Sequence, residues 1–167
     1  EMMWIKMRSS SQNWAVYHKG ANGGTDPEDY GLELNSNSAE FNTATYFNDT
    51  APTSSVFTVG TGNAVNQSNK YYIAYLFATV AGVSKVGSFT STGSDMTIDC
   101  GFSNGARFVL LKKTNATDQW YLWDSVRGIV AGNDSRLKLN DTTAAVTHSD
   151  NIDPDNSGFI LHDNILG

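Results

Sequence analysis

The sequence predicts an all-β protein made of two related β-sandwich or jelly-roll-like modules in tandem. Three observations predict it. Apolar runs of strand length alternate with turns rich in Gly, Asn, Ser and Thr. No stretch has convincing helical spacing. The opening segment, Trp4 to His18, also returns as Val109 to Asp124. In that repeat Lys6 falls on Lys112, Trp14 on Trp120, Tyr17 on Trp123 and His18 on Asp124. Each copy runs apolar, basic, polar, Trp, apolar, which is the order of a strand, a turn and a returning strand. Self-similarity at a fixed offset marks a repeated module.

In chain order, Met3 to Met7 alternates poorly but is apolar enough for a buried strand. Arg8 to Asn13 is a polar turn and Trp14 to His18 the return strand. Lys19 to Tyr30 holds Gly, Pro and acidic residues and predicts a loop. Leu32 to Asn35 is a short strand. Val56 to Val59 is another, entered through the turn Asn48 to Pro52. Lys70 to Val80, KYYIAYLFATV, is the strongest strand signal; its near-continuous apolar character predicts burial on both faces. Val83 to Thr90 and Met96 to Phe102 are further strand candidates. Leu137 to Asn140 repeats Leu32 to Asn35, and Pro154 to Leu161 repeats Pro52 to Val59. The modules are therefore expected at 1–82 and 83–167, the second lacking a counterpart of KYYIAYLFATV, its last strand. The chain reads as a segment of something longer.

Composition narrows the function. There are 167 residues, with Lys+Arg 11 against Asp+Glu 17 and a formal net charge of -6. An acidic chain with no basic stripe is a poor nucleic-acid binder. No apolar run approaches the roughly 20 residues of a membrane-spanning helix, so no membrane insertion is expected. Cys100 is the single cysteine and reads as a small core residue. His18, His148 and His162 sit in no catalytic motif, so no enzyme activity and no cofactor is expected.

Two groups of residues carry candidate chemistry. Trp14, Tyr17, Trp120 and Trp123 could stack on sugar rings if their faces were open, although repeat-matched aromatics read better as core. Asp150, Asp153 and Asp155 in DNIDPDNSG place oxygen ligands at short spacing before a Gly and are a weak Ca²⁺ candidate. The bland reading of this stretch is a polar turn leading into a strand, and no metal is expected there. Asp26, Glu28 and Asp29 form a second acidic loop with a similar or weaker claim.

The strings SSSQNWAVYH, NDTAPTSSVFTVG and NKYYIAYLFATVAGVSKVGSFT, with GFSNGARFVLLKKT and DQWYLWDSVRG, resemble a repeated uncharacterised β domain of predicted tail and virion proteins from marine and cyanobacterial tailed phages. The resemblance covers nearly the whole chain. It implies a structural virion segment, such as a tail fibre, tail appendage or decoration protein. It implies a location on the virion exterior and a contribution to host attachment. Expected partners are further copies of the chain (a trimer, for a fibre), other virion proteins, and a host surface glycan or protein. It carries over no functional residue. The competing reading is a carbohydrate-binding β-sandwich module of a secreted or surface protein, with an extracellular location.

Overall fold

The computed structural model describes residues 1–163, apart from the side chain of His148. The fold is all-β, with three antiparallel sheets. Contacts divide the chain into two compact units. Unit 1 holds Glu1–Ala78, Val86–Ser88 and Thr114–Asp118; unit 2 holds Thr79–Lys85, Phe89–Lys113 and Gln119–Gly167.

Unit 1 is one five-stranded sheet. Its strands are β1 (Met2–Met7), β2 (Ala15–His18), β3 (Tyr30–Glu33), β4 (Phe41–Asn42) and β5 (Tyr72–Phe77), in the order β4-β3-β2-β1-β5. β1 alternates cleanly after all. Met3, Ile5 and Met7 are buried on one face, while Trp4 and Lys6 are half-buried on the other. The sequence hid this because Trp4 is itself apolar. Met3, Ile5, Ala15 and Tyr17 pack under Tyr46, Phe47, Ala64 and Val65.

Those last four residues belong to two one-turn helices, α1 (Ala44–Phe47) and α2 (Asn63–Asn66). The sequence reading found no helix there. Four residues cannot display a 3.6-residue period, so the signal does not exist. α1 starts at Thr43, whose Oγ1 accepts the Thr45 N–H at 3.2 Å, and ends at Asn48 in the left-handed region (φ 57°). Short side chains that bond local backbone favour such ends. The strand expected at Val56 to Val59 is irregular instead. It runs into Gly60, whose N–H donates to Tyr46 O at 2.7 Å. A Cβ on Gly60 would lie 2.4 Å from Thr45 O, so only glycine lets the chain come this close to α1.

β5 is not buried on both faces. Among the described residues it pairs with β1 along its full length and with no strand on its other side, so it ends the sheet. Tyr75 is 46% exposed and Leu76 64%. An apolar run reports attraction to an apolar neighbour, not that the neighbour lies within the unit.

Unit 2 is a two-sheet sandwich. One sheet has the order β10-β9-β8-β7, from β7 (Phe108–Lys112), β8 (Trp120–Asp124), β9 (Asp134–Lys138) and β10 (Val146–Ser149). The other has the order β11-β12-β6, from β6 (Met96–Asp99), β11 (Ile152–Asp155) and β12 (Gly158–Leu161). Val109, Tyr121 and Trp123 from the first sheet meet Ile152, Phe159 and Leu161 from the second. Val83 to Thr90 forms no strand beyond an isolated Val80–Ser84 bridge. The stretch read as a polar turn before a strand is itself β11, and the turn falls at Asn156 and Ser157.

The repeated hairpins share one register. Met2 faces His18 and Ile5 faces Ala15; at the matching positions Phe108 faces Asp124 and Leu111 faces Tyr121. The third strand follows suit, with Val16 opposite Leu32 and Leu122 opposite Leu137. The same side-chain lock closes both copies. Trp14 N–H donates to Asn35 Oδ1 at 2.8 Å, and Trp120 N–H donates to Asn140 Oδ1 at 2.8 Å. Within the described residues the sheet of unit 2 ends at β7, where unit 1 continues from β1 into β5.

Candidate functional site

The four aromatic candidates do not form one platform. Tyr17 is buried, edge-on to Phe47 with centroids 5.5 Å apart. Trp120 and Trp123 are buried in unit 2, and Trp123 is completely enclosed. A sugar cannot reach these three rings. Tyr17 and its counterpart Trp123 recur because each belongs to the core of its own unit; Trp120, though buried, lies outside the unit 2 core cluster. Trp14 differs: it is half-buried, its ring stacks on Tyr75 at 6.3 Å and 26°, and the Lys6 ammonium lies 5.9 Å from its centroid.

His18 and its counterpart Asp124 both act as strand-end acceptors. Gly20 N–H donates to His18 Nδ1 at 2.9 Å, while Val126 and Arg127 N–H each donate to Asp124 Oδ1 at 3.0 Å. Burial is the main cause that lowers the His18 pKa to about 4, helped by Lys19 and the N-terminus. Cys100 sits against the unit 2 core, and burial pushes its thiol up, away from nucleophilic use.

The acidic candidates separate. Asp155 serves the β11–β12 turn, where its Oδ1 accepts the Ser157 N–H at 2.8 Å and the Ser157 hydroxyl at 2.7 Å. Those two bonds hold its carboxyl below the usual range. Asp150 and Asp153 do converge, and the third member of their group is His162. His162 Nε2 lies 3.5 Å from Asp150 Oδ1 and 3.5 Å from Asp153 Oδ2. Among the described residues, this is the one group of three such ligand atoms within 4.8 Å of one another.

Hairpin register builds the group. Ile152 pairs with Leu161, and His162 N–H donates to Asn151 O at 2.9 Å. The end of β12 therefore returns beside the start of β11, bringing His162 back to Asp150 and Asp153. Asp134, buried in β9, fixes that start. Its Oδ2 accepts the N–H of Asn151 at 3.2 Å and of Ile152 at 2.9 Å, and its Oδ1 accepts the Val130 N–H at 3.3 Å. Burial raises the Asp134 pKa, opposed by these three donors. Asp153 Oδ1 accepts the Gly132 N–H at 3.3 Å, leaving Oδ2 turned to His162.

The other imidazole nitrogen is also committed. His162 Nδ1 lies 3.0 Å from Asp95 Oδ2, and Asp95 Oδ1 accepts the Asp163 N–H at 3.2 Å. Desolvation works against a charge on His162. The Asp95 hydrogen bond and the charges of Asp150, Asp95 and Asp153 outweigh it, and the pKa is raised. Sequence reasoning missed His162. Reading DNIDPD as a strand, paired with GFIL, would have placed it here.

No helix among the described residues is long and apolar enough to cross a membrane. No curated protein and no solved structure matches this chain. The family described as "Domain of unknown function (DUF7483)" matches residues 1–165, across both units, and the chain belongs to that family.

Proposed function

We propose that this chain is a structural segment of a tailed-phage virion protein, from a tail fibre, tail appendage or decoration protein. The observation that carries the reading is the duplicated three-strand register with its Asn lock, in Trp14–Asn35 and again in Trp120–Asn140. A register kept twice over while the surrounding loops change is the mark of a building block. The sequence resemblance points the same way. The proposed mechanism is mechanical: hydrogen-bonded sheets over closed cores, with exposed loop tips left to vary. Residues 23–26 are such a tip, all exposed. The stretch Gly128 to Ser135 is a poorer one, because Ile129 is buried and Asp134 and Ser135 already belong to β9. Further copies or other virion proteins are the proposed partners. The exposed apolar side chains of β5 support this, since a flat apolar edge strand invites pairing. Immunogold electron microscopy with an antibody to this segment tests the reading. Label on particles is expected; label confined to host cells or to free protein counts against it.

A carbohydrate-binding role is the second reading, and Trp14 is what favours it. Its ring and that of Tyr75 are near-parallel and partly open, beside Lys6. Glycan-array hits that disappear in Trp14→Ala would support this role; an array without hits would remove it.

A further inference from the structure

We propose that His162 Nε2, Asp150 Oδ1 and Asp153 Oδ2 ligate one divalent transition-metal ion of the zinc class, with Asp95 as the outer carboxylate on Nδ1. Three observations carry this beyond proximity. His162 Nε2 and Asp150 Oδ1 are both shielded from solvent, and neither has a hydrogen-bond partner. They nevertheless face one another, with Asp153 Oδ2 the third atom of the group.

The spacing favours a metal over a shared proton. An N–H···O bond needs about 2.7–3.2 Å. At 3.5 Å, a proton on Nε2 reaches neither carboxylate well. A tetrahedral zinc ion with bonds of about 2.1 Å sets its ligand atoms about 3.4 Å apart. The two separations from His162 Nε2, 3.5 Å each, match that edge, and the two carboxylate oxygens lie within 4.8 Å of each other.

Ligand chemistry decides among metals. Ca²⁺ takes six to eight oxygens, and an imidazole nitrogen in the set argues against it. Imidazole with carboxylate suits zinc and its neighbours. Two carboxylates balance a doubly charged ion, and solvent completes the shell. A ligating histidine usually gives its other N–H to a carboxylate, which fixes tautomer and ring orientation. Asp95, 3.0 Å from Nδ1, stands in that place. The ion would tie the residue before β6, the link from β10 to β11 and the residue after β12, all in unit 2.

The test uses the full 167-residue chain, stripped with a chelator and titrated separately with Zn²⁺, Co²⁺ and Ca²⁺. Expected are one Zn²⁺ per chain, a Tm raised by Zn²⁺ but not by Ca²⁺, and Co²⁺ visible absorption of four-coordinate intensity. His162→Gln and Asp153→Asn should each weaken Zn²⁺ binding more than tenfold. Asp95→Asn should weaken it about 10-fold to 100-fold. Glu28→Gln, in unit 1, should leave it unchanged. Should His162→Gln fail to fold, the assigned ¹⁵N shift of His162 Nε2 on adding Zn²⁺ to the unaltered chain gives the answer. A Tm indifferent to Zn²⁺, a response to Ca²⁺ alone, an unmoved Nε2 shift, or Zn²⁺ binding that survives in folded His162→Gln overturns the proposal.

Discussion

Trp120 donates its backbone N–H to Asn140 Oδ1 at 2.8 Å, and Leu139 N–H returns a bond to Trp120 O at 2.8 Å. The matching pair in unit 1 is Trp14 to Asn35 at 2.8 Å, with Leu34 N–H to Trp14 O at 3.1 Å. One asparagine per module thus pins the third strand to the second. Replacing Asn140 or Asn35 by Ala removes the acceptor and leaves a strand N–H unpaired. Each change should destabilise by about 1–2 kcal/mol, read as a lower urea midpoint at an unchanged slope. No shift in midpoint would mean that water replaces the amide at no loss.

Asp134 is a stronger case, because it is buried and three backbone donors depend on it. Asp134→Ala should cost about 2–4 kcal/mol by leaving buried N–H groups unpaired. Asp134→Asn should also destabilise, since its NH₂ meets another donor whichever way the amide turns. Chemical denaturation checks both. Equal stability of Asp134→Asn and the unaltered chain would show that the site tolerates a neutral group.

His18 makes stability depend on pH. Its Nδ1 accepts the Gly20 N–H, and its pKa is lowered to about 4 in the fold. Unfolded, it titrates near its ordinary value of 6.5. A depressed histidine means that the unfolded chain binds the proton more readily. The contribution is therefore complete above about pH 6.5 and is lost as pH falls from there toward 4. The ceiling is about 3 kcal/mol, at about 1.36 kcal/mol per pKa unit. Thermal melts across this window should show the loss, and His18→Gln should flatten it. An NMR titration of His18 near its ordinary value would refute the assignment.

Leu76 is 64% exposed on the outer strand of its sheet. Leu76→Lys should lower concentration-dependent association in sedimentation velocity, with stability within about 0.5 kcal/mol of the parent. Unchanged association would place the contact surface elsewhere.

The hairpin strands were legible because their side chains repeat, and β5 and β6 because their apolar runs have strand length; Val56 to Val59, although it has a repeat partner, forms no strand. The Trp and basic positions of the hairpins are fixed by register, and register is written in spacing. α1 and α2 were not legible, because one turn carries no period. The exposure of β5 was not legible either, since burial depends on what lies beyond the sheet. Of the aromatic candidates, Trp14 alone kept an open face. Of the acidic ones, Asp150 and Asp153 came together, but their third member lies across a hairpin. Asp155 was spent on the turn that makes the hairpin possible.

The Asn140 amide also has a chemical lifetime. Its Nδ2 donates to Gln119 Oε1 at 2.5 Å, as that of Asn35 donates to Asn13 Oδ1 at 2.9 Å. Deamidation would exchange that donor for an oxygen and set two acceptors against each other. Mass spectrometry of stored protein should therefore find Asn35, although exposed, and the half-buried Asn140 deamidating more slowly than the exposed Asn104, which a glycine follows. Once either is converted, its module should be the first to loosen with age.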